Sequence, residues 1–184
     1  MKKIISIHLL FLFLFYTGEA KIEIYSTNNG TITFRSEAVQ ELISASSSDL
    51  HGLIDPEQRT FAFKVQIRSF RGFNNGLQRE HFNENYMESD KFPEATFKGK
   101  IIEQVDLTKE GKYMVRAKGT LSIHGVDQER IIKSNVAVQK GTISVESKFS
   151  ILITDHDIKV PRVVHEKIAS EIVVTVTADF KNVQ

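Results

Sequence analysis

Histidine and aspartate side chains near the end of the sequence are of the types that bind metal ions. The stretch "TDHDIKVPRVVH" contains Asp155, His156, Asp157 and His165. Imidazole and carboxylate groups are common ligands of zinc and other transition metals. The chain contains no HExxH arrangement, and its histidines have no spacing that places two of them on one face of a regular element. We therefore favour a solvated strand end with a following loop, predict no metal site, and keep a metal-dependent enzyme as the least favoured alternative.

Side chains for other kinds of catalysis give no positive signal. The chain has no cysteine and no GxSxG motif, which excludes a thiolate nucleophile and a serine nucleophile elbow. Glu80, Glu84 and Glu88 recur every four residues, a spacing typical of a solvated helix face rather than of an acid/base pair. "GFNNG" at 72–76 is not followed by a GK[ST] sequence, so we predict no phosphate cradle. The sequence therefore indicates a protein that is not an enzyme and needs no cofactor.

One histidine lies where a regular alternation of apolar and polar residues ends. His124 stands in "GTLSIHGVDQERII", residues 119–132. Strand periodicity places it on the polar face with Ser122, opposite Ile123. We therefore predict that His124 fastens the strand end and the Gly125 turn by hydrogen bonding, and does not point into the interior of the fold.

The first twenty residues have the pattern of an export signal. Lys2 and Lys3 precede an apolar run from Ile4 to Tyr16, and small residues follow up to Ala20. This is typical of a secretory signal peptide cleaved after Ala20, whereas a transmembrane helix needs roughly 20 apolar residues. We expect a soluble, exported protein that has no transmembrane segment after cleavage.

Length and charge suggest a single domain and give no indication of a nucleic acid or anionic membrane as partner. Removal of two lysines and one glutamate from 24 basic and 23 acidic residues leaves 22 of each. This balance gives no basis for binding nucleic acid or an anionic surface. The remaining segment, 21–184, contains no repeat and no long linker, so we predict a single domain.

A period of two dominates that domain, as expected for strands with one buried face. The strongest alternation covers 61–68, 112–124 and 142–154, and weaker strands are predicted at 22–27, 30–36, 39–45, 95–104, 130–138 and 171–180. Turn signals lie at 28–30, 55–56, 110–112 and 140–141. Short helical segments are predicted within 74–89 and from Pro161 to about Ser170.

Long strands joined by tight turns predict an all-β fold with an antiparallel sheet of about eight strands. Such a sheet avoids exposed edges by closing into a barrel, with a β-sandwich as the alternative. The inward faces carry large apolar side chains: Phe61, Phe63, Val65, Phe97, Val115, Leu121, Ile123, Phe149 and Ile151. A lumen with these walls either packs shut or receives an apolar ligand, and composition alone favours the packed core.

Three segments in order resemble the signature regions of the YceI-like family of lipid and polyisoprenoid binding proteins. They are "HFNENYMESDKFPEATFKGKI" at 81–101, "GTLSIHGVDQERII" at 119–132 and "FSILITDHDIKVP" at 149–161. The matched positions are Phe92, Pro93, Phe97, Leu121, Ile123, His124 and Gly125. The chain departs from the family pattern at 30–55, where the usual tryptophan and histidine are absent, and in "ITDHDIKV", which lacks the usual arginine and glycine.

This resemblance implies an extended, lipocalin-like barrel in the bacterial periplasm with a long apolar tunnel. The tunnel would hold an isoprenoid quinone, a polyisoprenol or another long-chain amphiphile, and the nine inward residues named above would contact it. We therefore predict a periplasmic carrier or sequestering protein. An envelope interaction module with a filled barrel core is the alternative, and the sequence is equally compatible with a monomer and a dimer.

Overall fold

Eight antiparallel strands form a closed barrel in the computed structural model, which describes residues 23–183. The predicted signal peptide, residues 1–20, lies outside the described residues. The strands are β1 (Ile24–Glu37), β2 (Leu42–Asp55), β3 (Thr60–Gln66), β4 (Glu94–Ile101), β5 (Gly111–Ile123), β6 (Val126–Gln139), β7 (Thr142–Leu152) and β8 (Glu171–Val183).

Every strand pairs with the next in sequence, and the last pairs with the first. β8 closes the barrel along β1, from Ile24 opposite Val183 to Ser36 opposite Ile172. Closure pairs both edges of the sheet, which removes the exposed edges that favour aggregation. The predicted antiparallel barrel is thus confirmed, and the sandwich alternative is wrong.

The first part of the sheet differs from the sequence prediction. The predicted turn at 28–30 is an irregularity within one continuous strand, because the pairing of β1 with β2 and β8 shifts register there without reversing the chain. A β-bulge of this kind bends a strand and raises its twist. β2 continues to Asp55, beyond the predicted 39–45, through a polar stretch whose inward positions include the small residues Ala45 and Ser47. The two predicted strands before residue 37 are therefore one.

Long connections leave the barrel at one end only. Between β3 and β4 run a 3₁₀ turn (Ile67–Ser69), the helix α1 (Gly76–His81) and a π-helical turn (Phe82–Tyr86). Between β7 and β8 run two further 3₁₀ turns, Ile153–His156 and Arg162–Val164. The short helix predicted within 74–89 is confirmed. The helix predicted from Pro161 to Ser170 shrinks to a single turn, and Pro161 precedes it.

The opposite end of the barrel is closed by packed side chains. Leu107, from the connection between β4 and β5, is completely buried in one cluster with Phe180 and Ile143. Their burial removes roughly 1.5–3 kcal/mol of unfavourable hydration per large side chain. The barrel therefore has a floor at this end and its elaborated loops at the other.

Candidate functional site

A cavity of about 520 Å³ occupies the barrel between the floor and the long connections. All eight strands contribute to its wall. The nine residues predicted from alternation all lie on that wall: Phe61, Phe63, Val65, Phe97, Val115, Leu121, Ile123, Phe149 and Ile151. The lumen is thus not filled by side chains, which disfavours the filled-core interpretation. That these residues contact a ligand stays a prediction.

Aromatic rings line the deep end of the cavity. The Phe61 ring lies 4.9 Å from that of Phe97 and 6.0 Å from that of Phe63, measured between centroids. Phe63 in turn meets Phe180 edge to face at 5.5 Å. Offset and edge-to-face pairs of this kind add roughly 0.5–1.5 kcal/mol beyond their buried area. The floor is therefore rigid and apolar.

A second aromatic group, which the sequence analysis did not assign to the site, lies under the mouth. Phe34 on β1 stacks on Phe82 at 5.2 Å and contacts Phe70 and Phe73 at 5.5 and 5.9 Å. All four rings line the cavity. Phe34 follows the alternation of β1 and was open to prediction. The other three belong to an irregular connection, in which no periodicity reports which side chains point inward.

Three segments frame the mouth and are tied together by polar contacts. In the β1–β2 turn, Glu41 accepts a hydrogen bond from the Gln78 side chain of α1 at 2.6 Å. In the same turn, the backbone N–H of Gln40 donates to the Glu166 carbonyl at 2.8 Å. Glu41, Gln78 and Lys167 also line the cavity at this end. Polar groups are thus gathered at the mouth, while apolar groups form most of the interior.

The wall contributed by β5 to β8 has a single polar interruption. Ser134 on β6 and Ser147 on β7 lie directly opposite each other, with their hydroxyl oxygens 2.7 Å apart. Every other lining residue from these four strands is apolar.

His124 lies outside the cavity wall, in the turn that joins β5 to β6. His124 and Gly125 have φ of +53° and +73°, the two left-handed residues that a type I′ hairpin turn requires. The prediction that His124 lies on the outer polar face is therefore wrong. The strand ends at Ile123, and the His124 side chain, which follows it in the turn, is only 9% exposed.

Hydrogen bonds from both ring nitrogens hold His124 in place, as predicted. Nδ1 donates to the His156 carbonyl at 3.0 Å, and Nε2 forms a hydrogen bond with the Glu88 carboxylate at 2.7 Å. The Phe92 ring packs edge to face on His124 at 4.7 Å. The residue thus joins the two long connections to the β5–β6 turn.

His156, from the carboxyl-terminal segment, is also structural. The prediction of a solvated strand end is wrong at this residue, because His156 lies in a 3₁₀ turn and is completely buried. Its Nδ1 donates to the Val126 carbonyl at 3.3 Å. Burial lowers the pKa of His156 from its ordinary value, because desolvation disfavours the imidazolium. Among residues 23–183, no three histidine or carboxylate side chains come together in a group that could hold a metal ion.

None of the helices in the described part of the chain is long and apolar enough to cross a membrane.

Comparisons with solved structures identify similar barrels at low sequence identity. A polyisoprenoid binding domain from Saccharophagus degradans superposes with a TM-score of 0.74 at 16% identity, over 89% of this chain and 100% of that one. BcnA of Burkholderia cenocepacia gives a TM-score of 0.67 at 14% identity, over 82% and 95% of the two chains. The YCEI protein of Campylobacter jejuni gives 0.55 at 16% identity, over 100% and 94%. No curated protein matches the chain.

The sequence itself matches the model of the YceI-like domain over residues 23–180, which is nearly the whole of the described barrel. All three segments that carry the resemblance lie within this range, and the first two meet where Phe92 packs on His124. The chain therefore belongs to the YceI-like domain family.

Proposed function

We propose that this protein binds an isoprenoid, such as a quinone or polyisoprenol, or a similar long-chain amphiphile, and carries or sequesters it in the periplasm without catalysis. The observation that supports this most directly is an apolar cavity of about 520 Å³ that has a closed floor and a mouth framed by polar groups. An amphiphile matches that polarity, because its hydrocarbon chain can lie against the apolar wall of the barrel.

The energetics of such binding follow from the cavity wall. Each CH₂ group buried there contributes roughly 0.8 kcal/mol, which corresponds to about a fourfold gain in affinity. A chain of several isoprene units can therefore offset the free energy of association and of ordering the chain.

Three further observations support the proposed ligand and compartment. The amino-terminal pattern predicts export, and the similar domain from Saccharophagus degradans is described as polyisoprenoid binding. The absence of cysteine from the chain suits an oxidising compartment, since no free thiol is at risk there.

Lipid extraction tests the proposal. Protein purified from its native host is denatured in organic solvent, and the extract is analysed by mass spectrometry. We expect one isoprenoid or other long-chain amphiphile per barrel. Absence of any stoichiometric lipid, together with no uptake of an added prenylated quinone, would contradict the proposal.

A charge placed on the wall gives a second readout. Val65 is 3% exposed and lines the cavity, so Val65→Lys would bury an unpaired ammonium group and lower lipid uptake. Met114→Lys is the matched control, because Met114 is 73% exposed on the outside of the barrel. Equal uptake by both variants, in folded protein, would count against binding in the lumen.

A further inference from the structure

The serine pair on the cavity wall is placed and oriented as a ligand-binding group. Ser134 and Ser147 are cross-strand partners, and their inward direction follows from their neighbours on β6 and β7, which line the same wall. On either side of the pair at this level lie Val115 of β5, opposite Ser134, and Val176 of β8, opposite Ser147. The two hydroxyls are thus surrounded by apolar groups, and Ser134 is only 8% exposed.

A count of hydrogens shows that the pair cannot satisfy itself. Each serine hydroxyl carries one donor hydrogen, and the 2.7 Å contact uses one of the two. Within residues 23–183, neither side-chain hydroxyl makes another hydrogen bond beyond this contact. One donor is therefore left facing the apolar-lined interior of the barrel, where an unpartnered polar group is unfavourable. The partner it lacks is a hydrogen-bond acceptor in the lumen.

The surroundings of the pair limit the chemistry of that acceptor. No lining residue of β5 to β8 is charged, and Lys64, the charged lining residue of β3, pairs with Glu94 and is 53% exposed. The strands that carry the pair therefore offer no group that would neutralise a carboxylate or a phosphate. The wall is apolar on both sides of the serine pair along the barrel axis. The ligand therefore needs either hydrocarbon on both sides of its polar atom or a ring that fills the lumen. An uncharged oxygen, in a quinone carbonyl, an ether, an ester or an alcohol, fits these conditions.

We propose that the Ser134–Ser147 pair donates a hydrogen bond to an uncharged oxygen atom of the bound lipid and so selects oxygenated amphiphiles over pure hydrocarbons. This inference rests on the proposed function, because it requires a lipid in the lumen. It adds that the polar atom of the ligand lies within the barrel, and that the pair fixes how deeply the chain enters.

Two probes of similar isoprenoid character test the pair: a prenylated benzoquinone and squalene, which contains no oxygen. Their affinities are measured by displacement of a fluorescent apolar probe from the wild type, Ser134→Ala, Ser147→Ala and the double variant. Ser144→Ala is the control, since Ser144 bonds to Asp179 on the outside of the barrel.

The inference predicts a non-additive result. Each single variant retains one hydroxyl with a free hydrogen, so its affinity for the quinone should fall by no more than about twofold. The double variant should lose about threefold to tenfold, the range expected for one hydrogen bond. Its affinity for squalene should stay unchanged or rise, and Ser144→Ala should match the wild type with both probes.

Infrared spectroscopy supplies an independent readout if the double variant proves unstable. A carbonyl that accepts a hydrogen bond absorbs at lower frequency, so the quinone bound to wild-type protein should show a shifted band that is lost or weakened in the variants. An unshifted band in the wild type, or equal losses for quinone and squalene in the double variant, would overturn the assignment to the serine pair. Failure of the wild type to bind either probe would instead refute the proposed function itself.

Discussion

Removal of the His124 imidazole should destabilise the barrel without changing its affinity for lipid. The side chain makes a hydrogen bond to the His156 carbonyl, a second hydrogen bond with Glu88 and an edge-to-face contact with Phe92. None of these contacts belongs to the cavity wall. The expected effect of His124→Ala is therefore on the free energy of unfolding.

The magnitude follows from the three contacts. The bond to the buried carbonyl contributes about 0.5–1.5 kcal/mol, and the aromatic contact contributes a similar amount. The hydrogen bond with Glu88 adds at most about 1 kcal/mol, because the Glu88 side chain is 46% exposed and water competes for it. Together these give a loss of about 1–4 kcal/mol. For a domain of this size that lowers the melting temperature by roughly 2–16 °C.

Urea unfolding measures the stability, and displacement of a fluorescent apolar probe measures the affinity. His51→Ala is the matched control, since His51 also bonds to a carboxylate, Asp49, but its side chain is 44% exposed. We expect a loss below about 1 kcal/mol for the control. A folded His124→Ala protein of full stability that no longer binds lipid would refute the structural role and place His124 in the binding machinery.

Two further predictions concern the same end of the barrel. Burial lowers the pKa of His156 in the folded state, so the unfolded chain binds the proton more tightly. The stability that depends on neutral His156 is complete above about pH 6.5 and declines as the pH falls toward the folded-state pKa. His156→Gln should therefore flatten the dependence of the unfolding free energy on pH between about 7 and 5, and an unchanged slope would contradict this. At the turn, Gly125→Ala adds a Cβ 2.3 Å from the Phe92 ring at a φ of +73°. We expect a loss of about 2–4 kcal/mol from left-handed strain and overpacking. Gly141→Ala isolates the strain, because φ is +71° there and no atom lies within 4 Å of the new Cβ. Equal losses at the two glycines, measured by urea unfolding, would show that the Phe92 contact is unimportant.

The barrel could be predicted from the sequence because its strands carry their signal locally. On β5, inward Val115 and Leu121 alternate with outward Arg116 and Lys118, and this two-residue period is what a half-buried strand imposes. The signal failed along β2, where inward Ala45 and Ser47 lie among polar residues. Small side chains at inward positions give no hydropathy contrast, so only the pairing with β1 and β3 defines that strand.

The cavity itself was predictable only in part. Alternation identified wall residues on β3, β4, β5 and β7, but it could not decide whether the lumen was filled, because packing depends on how the eight inward faces meet. It also missed the serine pair as a unit. Ser134 and Ser147 are separated by twelve residues, and each alone is an ordinary strand residue; the register of β6 against β7 brings them together.

The family signature contributes both to the cavity wall and to a structural anchor beside the mouth, and this division has a consequence for specificity. Phe92, His124 and Gly125 from two of the signature segments pack on one another, where they anchor the long connections. Phe70 and Phe73 line the cavity from the β3–β4 connection but lie outside the signature segments. A relative can therefore keep the anchoring residues and the barrel while its connections present other side chains to the lipid. Differences in ligand between family members should accordingly map to the β3–β4 and β7–β8 connections and to inward polar positions, rather than to the anchoring residues Phe92, His124 and Gly125.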